Sequence, residues 1–379
     1  MTQAVDGGWW HSNRFWIQAD YLMRWVKPGP NPVALLTTGA DTDDTPGAIG
    51  QPGTKILFGD APVGFGLISG MQLTVGYWIR PDQSMGLELS AFVLSQVNQG
   101  PEANSDANGN PFLLRPFFNT QTNAEDVATV TFPGLLTGRI VFRDTTQLWG
   151  SEINLLCNWV KGSSGRIDAI YGFRYLQLNE ELRIDENFAP LEVEDNTINF
   201  AGQAFGFPDS VRVLDQFKVK NQFYGAQFGA RAELNFGRLQ LDARAKVALG
   251  TTHSHLDTDG ASFLLDGSGN LLASSTGGLL ALKSNIGSRT TDSFTVVPSI
   301  ELRVSCFVRD NIRIHVGYDF LYMSNLIRPG DQIDRNIDPR QVPTFQDFDP
   351  TVNASQPKVF LKHTDFWAQG LDFGLEIRF

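Results

Sequence analysis

Few stretches of this 379-residue chain place side chains at a spacing that could do chemistry. His253, His255, Asp257 and Asp259 alternate after an apolar strand, and two imidazoles with two carboxylates could ligate a transition metal. Read as one extended loop, the same alternation points all four at water, and no metal is assigned to them. Asp106, Asn108 and Asn110 have the opening spacing of a calcium loop. Phe117 stands where the twelfth-position Glu is needed, which leaves a plain turn. A run of mixed charge from Arg328 to Arg335 follows another strand. Charges held close to a membrane need partners, so Arg328, Asp331, Asp334 and Arg335 are expected to fold back into a mouth and meet wall charges rather than lie on the surface. No glycine-rich phosphate cradle opens a helix, and no Gly-x-Ser-x-Gly elbow occurs. The expectation is a non-enzyme without cofactor, catalytic residue or metal.

The larger chemical set is dispersed. Asp20, Arg24, Glu88, Glu152, Asp168, Arg174, Arg231, Glu233, Asp242, Arg244, Lys246, Glu301, Arg303, Arg313, His315, Asp319, Asp372, Glu376 and Arg378 recur with both signs on almost every candidate strand. Each lies at the parity opposite to a run of apolar residues. In a strand that parity is a face, so acids and bases would share one surface and pair across neighbouring strands.

The elements that hold them follow from the alternation. At the C-terminus Leu371, Phe373, Leu375, Ile377 and Phe379 face one side, and Gly370, Asp372, Gly374, Glu376 and Arg378 the other. A strand with lipid outside and polar groups inside has this pattern. Phe373, Leu375, Ile377 and the terminal Phe379 also resemble the signal by which outer-membrane barrels are handed to their insertion machinery. Similar strands are predicted from Arg14 to Trp25, in a hairpin through Pro81-Asp82-Gln83-Ser84, and in pairs turning at 161–165, 235–238 and 309–311. Long connections rich in Pro, Gly, Asn and Asp separate the pairs. Short turns at one end and long loops at the other predict an all-β, transmembrane, antiparallel up-and-down barrel of about ten strands, with turns in the periplasm. Twelve is the alternative if 127–142 pairs across the wall. Trp25, Tyr77, Trp159, Tyr175, Tyr318, Tyr322 and Trp367 fall near strand ends, where aromatic girdles sit.

Composition agrees with that reading. The chain is 42% hydrophobic with no apolar run long enough for a spanning helix, so a membrane fold would have to be a barrel. A net charge of −11 without basic clusters argues against a nucleic-acid partner. Cys157 and Cys306 lie on strands far apart in the chain and are expected to stay unbridged. Residues 1–13 are expected to form a periplasmic segment left after removal of a signal peptide, and 14–379 a single barrel domain.

Several segments resemble the putative beta-barrel porin-7 family of bacterial outer-membrane proteins. They are Gly277-Gly278-Leu279-Leu280-Ala281-Leu282 through Asn285-Ile286-Gly287, Val316-Gly317-Tyr318-Asp319-Phe320-Leu321-Tyr322, and above all Ile327-Arg328-Pro329-Gly330-Asp331-Gln332-Ile333-Asp334-Arg335. The resemblance runs from about Phe15 to Phe379 and implies an outer-membrane barrel among lipid. It carries no catalytic residue, and fold alone does not establish transport. About ten strands make a bore little wider than an eight-stranded barrel, whose interior side chains fill. The expected function is therefore a porin-like barrel with a narrow or occluded charged lumen and long surface loops. A structural or surface-array envelope protein, with this chain as a homo-oligomer, is the alternative, and a loop-borne hydrolase the third.

Overall fold

The computed structural model describes residues 14–162 and 164–379; the expected N-terminal segment, 1–13, lies outside them. Ten strands form the wall: β1 (Phe15–Val26), β2 (Ile68–Trp78), β3 (Met85–Leu94), β4 (Leu136–Lys161), β5 (Gly165–Pro190), β6 (Ser210–Phe236), β7 (Leu239–Leu265), β8 (Gly287–Arg309), β9 (Ile312–Ile327) and β10 (His363–Arg378). Each pairs antiparallel with the next, and β10 pairs with β1, Trp16 opposite Arg378. The ring therefore closes at ten. Twelve is ruled out locally: Ala124–Thr131 pairs with Leu113–Asn119 in a separate sheet, while Leu136 onward is already wall.

The wall is uneven in height. β2 and β3 have 11 and 10 residues, close to the 9–11 that cross a bilayer. β4 and β5 have 26 each, and β6 and β7 27 each. Apolar alternation of the lipid-facing kind ends in these four strands near Trp149, Tyr175, Tyr224 and Leu249, but the strands run on well past that level.

At that level the two faces exchange character. Along β5 the outward residues Ile167, Tyr171 and Phe173 are exposed and apolar, and beyond Tyr175 come Gln177, Asn179, Glu181, Arg183 and Asp185. The inward residues change the opposite way, from Asp168 and Arg174 to Leu176, Leu178, Leu182 and Ile184. β6 does the same, outward from Phe228 and Tyr224 to Gln222, Lys220 and Lys218, inward from Arg231 and Gln227 to Phe223, Val219 and Phe217. Trp149, Tyr175 and Tyr224 mark the boundary as a contiguous row of mutually tilted rings, with centroids 5.0 and 5.1 Å apart. Amphipathic aromatics belong at such an interface.

Above the row the connections fold over the apolar inner face. Ala34–Thr38, Lys55–Gly59, Leu113–Asn119, Ala124–Thr131 and Asn336–Ile337 form a five-stranded sheet. Leu35, Leu36, Leu113, Phe117 and Val130 from this cap pack on Ile140, Phe142, Leu182, Ile184 and Phe217 of the wall. Each such buried side chain contributes about 1.5–3 kcal/mol. The loops expected to stand as surface loops are, over much of their length, a packed cap on the tall side of the wall.

Candidate functional site

All the charged residues predicted for one face project into the bore. The pairs they make differ from expectation, because many skip neighbouring strands. Arg244 on β7 donates two hydrogen bonds to Glu88 on β3, at 2.7 and 3.1 Å, across the bore. Its register partner Glu301 is taken instead by Lys246 at 2.8 Å, and Lys246 also reaches Glu152 on β4 at 2.6 Å. Arg174 donates to Glu152 through Nε at 3.0 Å and to Ser299 on β8 at 3.0 Å. Arg24 of β1 pairs with Asp319 of β9, and Arg303 of β8 reaches Asp372 of β10 at 3.3 Å. Nearer the turns, Arg231 pairs with Glu233, Arg313 and Arg378 share Glu376, and Arg166 holds Asp168 at 2.7 Å. The side chains of these pairs are no more than 19% exposed, so their charges are neutralised chiefly by one another and not by bulk water. Buried charges are tolerable only when paired in this way.

Asp20, His315 and Asp372 bring three metal-ligand atoms within 4.8 Å of one another. His315 Nε2 lies 2.7 Å from Asp20, Gln18 donates to the other Asp20 oxygen at 2.8 Å, and Arg303 occupies Asp372. The cluster is thereby tied into the ion-pair lattice.

The loop run divides. Arg328 is fully buried and donates to both oxygens of Glu180 on β5, at 2.8 and 2.5 Å, and to the carbonyl of Pro28 at 2.7 Å. The other three meet loops and not the wall, which corrects the expectation for them. Arg335 pairs with Glu125 at 2.6 Å, Asp331 with Lys362 at 3.1 Å, and Asp334 accepts the Lys358 N–H at 2.8 Å.

Sequence reading missed the centre of the cap. Arg115, which is 1% exposed, reaches Glu186 of β5 at 3.0 Å and Asp215 of β6 at 2.7 Å. Asp215 Oδ1 also accepts the N–H groups of Leu279, Leu280 and Ala281 at 3.0, 2.9 and 2.7 Å. A Cβ at Gly278 would stand 2.2 Å from that oxygen, so glycine is required there. The signal was present, because Glu186 and Asp215 sit on the inward parity, but an apolar neighbourhood hid it. Beyond the aromatic row, burial pushes the Glu186 carboxyl up to about 7 against the Arg115 charge. Burial, then the Glu180 charge, pushes Asp144 up to about 7.

His253, His255, Asp257 and Asp259 lie within β7 and not in a loop, on the outer face just above the membrane band, with His255 half-buried and the other three exposed. His253 Nδ1 is 2.7 Å from Asp292 of β8. Asp106 accepts the N–H groups of Asn108 and Asn110, both at 2.9 Å, in a turn. Cys157 and Cys306 are unbridged. Phe373, Leu375 and Phe379 face outward and exposed, Ile377 partly so, and the Phe15 and Phe379 rings close the seam at 5.8 Å.

A closed ten-stranded meander with a lipid-type outer band and a polar bore is a transmembrane β-barrel. The chain belongs to the family described as Putative beta barrel porin-7 (BBP7), which it matches over residues 16–379. No curated protein matches it significantly. Among solved structures, it is similar at 8% identity to the outer membrane protease OmpT from Escherichia coli, over 99% of each chain with a TM-score of 0.45. A Pseudomonas aeruginosa FadL homologue is 8% identical over 96% of this chain and 89% of that one, with a TM-score of 0.22. An anion-selective porin from Comamonas acidovorans is 8% identical over 96% and 98%, at 0.18. Scores this low leave the family assignment resting on the sequence match.

Proposed function

We propose that this protein is a porin-like barrel of the bacterial outer membrane whose bore is closed by its own ion pairs, and that it acts through its outer cap and not by passing solutes. The observation that carries this reading is the Arg244–Glu88 bridge, two hydrogen bonds spanning the bore between strands four places apart in the ring. Moving ions through it would mean separating a charge pair of which Glu88 is fully buried, a step that costs several kcal/mol. The apolar cap core closes the outer end in series. On this reading the protein is not an enzyme, its surroundings are lipid, and its C-terminal strand meets the barrel-assembly machinery during insertion. Single-channel recording of the purified protein in a planar bilayer tests the proposal. The expected result is little or no conductance; a large, steady, ohmic conductance would restore an open diffusion channel.

A further inference from the structure

A concavity lies at the end of the barrel opposite the cap, where the short turns meet. Its volume is about 370 Å³, within the range of small-molecule sites. Among the described residues, Lys161, Arg166, Arg231 and Arg378 line it against Glu233 and Glu376, a lining with two more cations than anions in a chain whose net charge is −11. Some of these cations are committed elsewhere. Arg166 is spent on Asp168, on the Gln83 carbonyl and on the Trp78 ring, 4.3 Å away, and Arg231 on Glu233. The other two keep free donors. Arg378 uses Nε for Glu376 at 2.6 Å, and its side chain is 30% exposed. Among the described residues Lys161 makes one hydrogen bond, to the Asp82 carbonyl at 3.1 Å, and is exposed. They stand on β10 and β4, well apart around the ring, so they approach the mouth from different sides.

The wall between them is aromatic. Trp16 and Trp78 occupy the inward parity, cluster with the buried Leu156 and Ile170, and their rings lie 5.2 Å apart. A Cβ at Gly76 would fall 1.9 Å from the Trp16 indole, and one at Gly86 2.6 Å from that of Trp78. Glycine at both positions lets the indoles pack against the wall, where they are 5% and 7% exposed and still line the cavity.

We propose that this cavity is a binding site for a small organic anion, a phosphate or carboxylate group held by Lys161 and Arg378 with its carbon skeleton against Trp16 and Trp78. The site faces the periplasm and does not depend on whether the bore conducts. Phenyl phosphate is a suitable probe, with inorganic phosphate and phenol as its two halves, each titrated calorimetrically into the full protein in detergent. Phenyl phosphate is expected to bind more tightly than either half, and more weakly as sodium chloride rises. Lys161→Gln lies at an exposed turn and Arg378→Gln on the last strand, and heat-modifiability gels verify that both remain folded. Each is expected to weaken binding about fivefold or more. Absence of binding, equal affinity for phenol, or unchanged affinity in a folded Lys161→Gln protein would each overturn the site.

Discussion

Below the row of Trp149, Tyr175 and Tyr224 the barrel is polar within and apolar without; above it, the same strands are apolar within and polar without. The backbone does not change at the boundary. Only the solvent does. Lipid draws apolar side chains outward and leaves charges to find one another inside. Water above the membrane restores the usual order, and the inner face needs a cover, which the cap supplies. The two halves therefore use buried ion pairs differently. In the bore the pairs are the filling itself. In the cap, single pairs such as Arg115 with Glu186 and Asp215 fasten one layer to the other through an apolar core.

The largest separation of the two halves is expected from Arg115→Ala. Among the described residues, it removes the only cation from Glu186 and leaves Asp215 with backbone N–H donors alone, at a cost of about 3–5 kcal/mol. The cap should become sensitive to protease while the membrane band still migrates as a heat-modifiable barrel. Loss of both together would show that the halves fold as one unit. Arg244→Ala acts on the bore and should cost less, about 1–3 kcal/mol, because water can enter and solvate Glu88. Its signature is a measurable rise in conductance with the cap still protected.

The smallest effect is expected from pH. Glu186 and Asp144 both titrate near 7 in the folded protein, above their ordinary carboxylate values. The folded state thus binds protons more tightly than the unfolded chain, and the associated stability is full below the ordinary values and lost as pH rises through about 7. Cap amides, corrected for intrinsic rates, should exchange faster at pH 8 than at pH 6, with amides of the membrane band unaffected.

The membrane band was legible because one rule, apolar outward and polar inward, runs along most of each strand, and it put the charged residues from Asp20 to Arg378 on one face. It could not choose partners: parity puts Arg244 beside Glu301, whereas side-chain reach across a narrow bore gives it Glu88. The same rule hid the outer half. At Gln177 and Gln222 the faces swap, so a search for lipid-facing alternation ends there and reads the rest as loop. His253 and His255 were misplaced for that reason. Gly277-Gly278-Leu279-Leu280-Ala281 stood out only as a family-like segment without a role, whereas Arg328 was expected to meet a wall charge and does. Their role is to fasten the cap, through Asp215 and Glu180 respectively.

The cap core also bears on the order of assembly. Its residues arrive from four separate connections: Leu35 and Leu36 after β1, Leu113 to Val130 after β3, Leu279 to Leu282 after β7, and Ile333 to Val342 after β9. No hairpin or contiguous stretch holds enough of them to bury the rest, and contacts this distant in sequence form only after the chain between them has been placed. The lid therefore cannot set before the ninth strand and its following loop are in position. A barrel arrested halfway would show the cell an unsealed apolar sheet, so completion of the wall and disappearance of that sticky surface are one event.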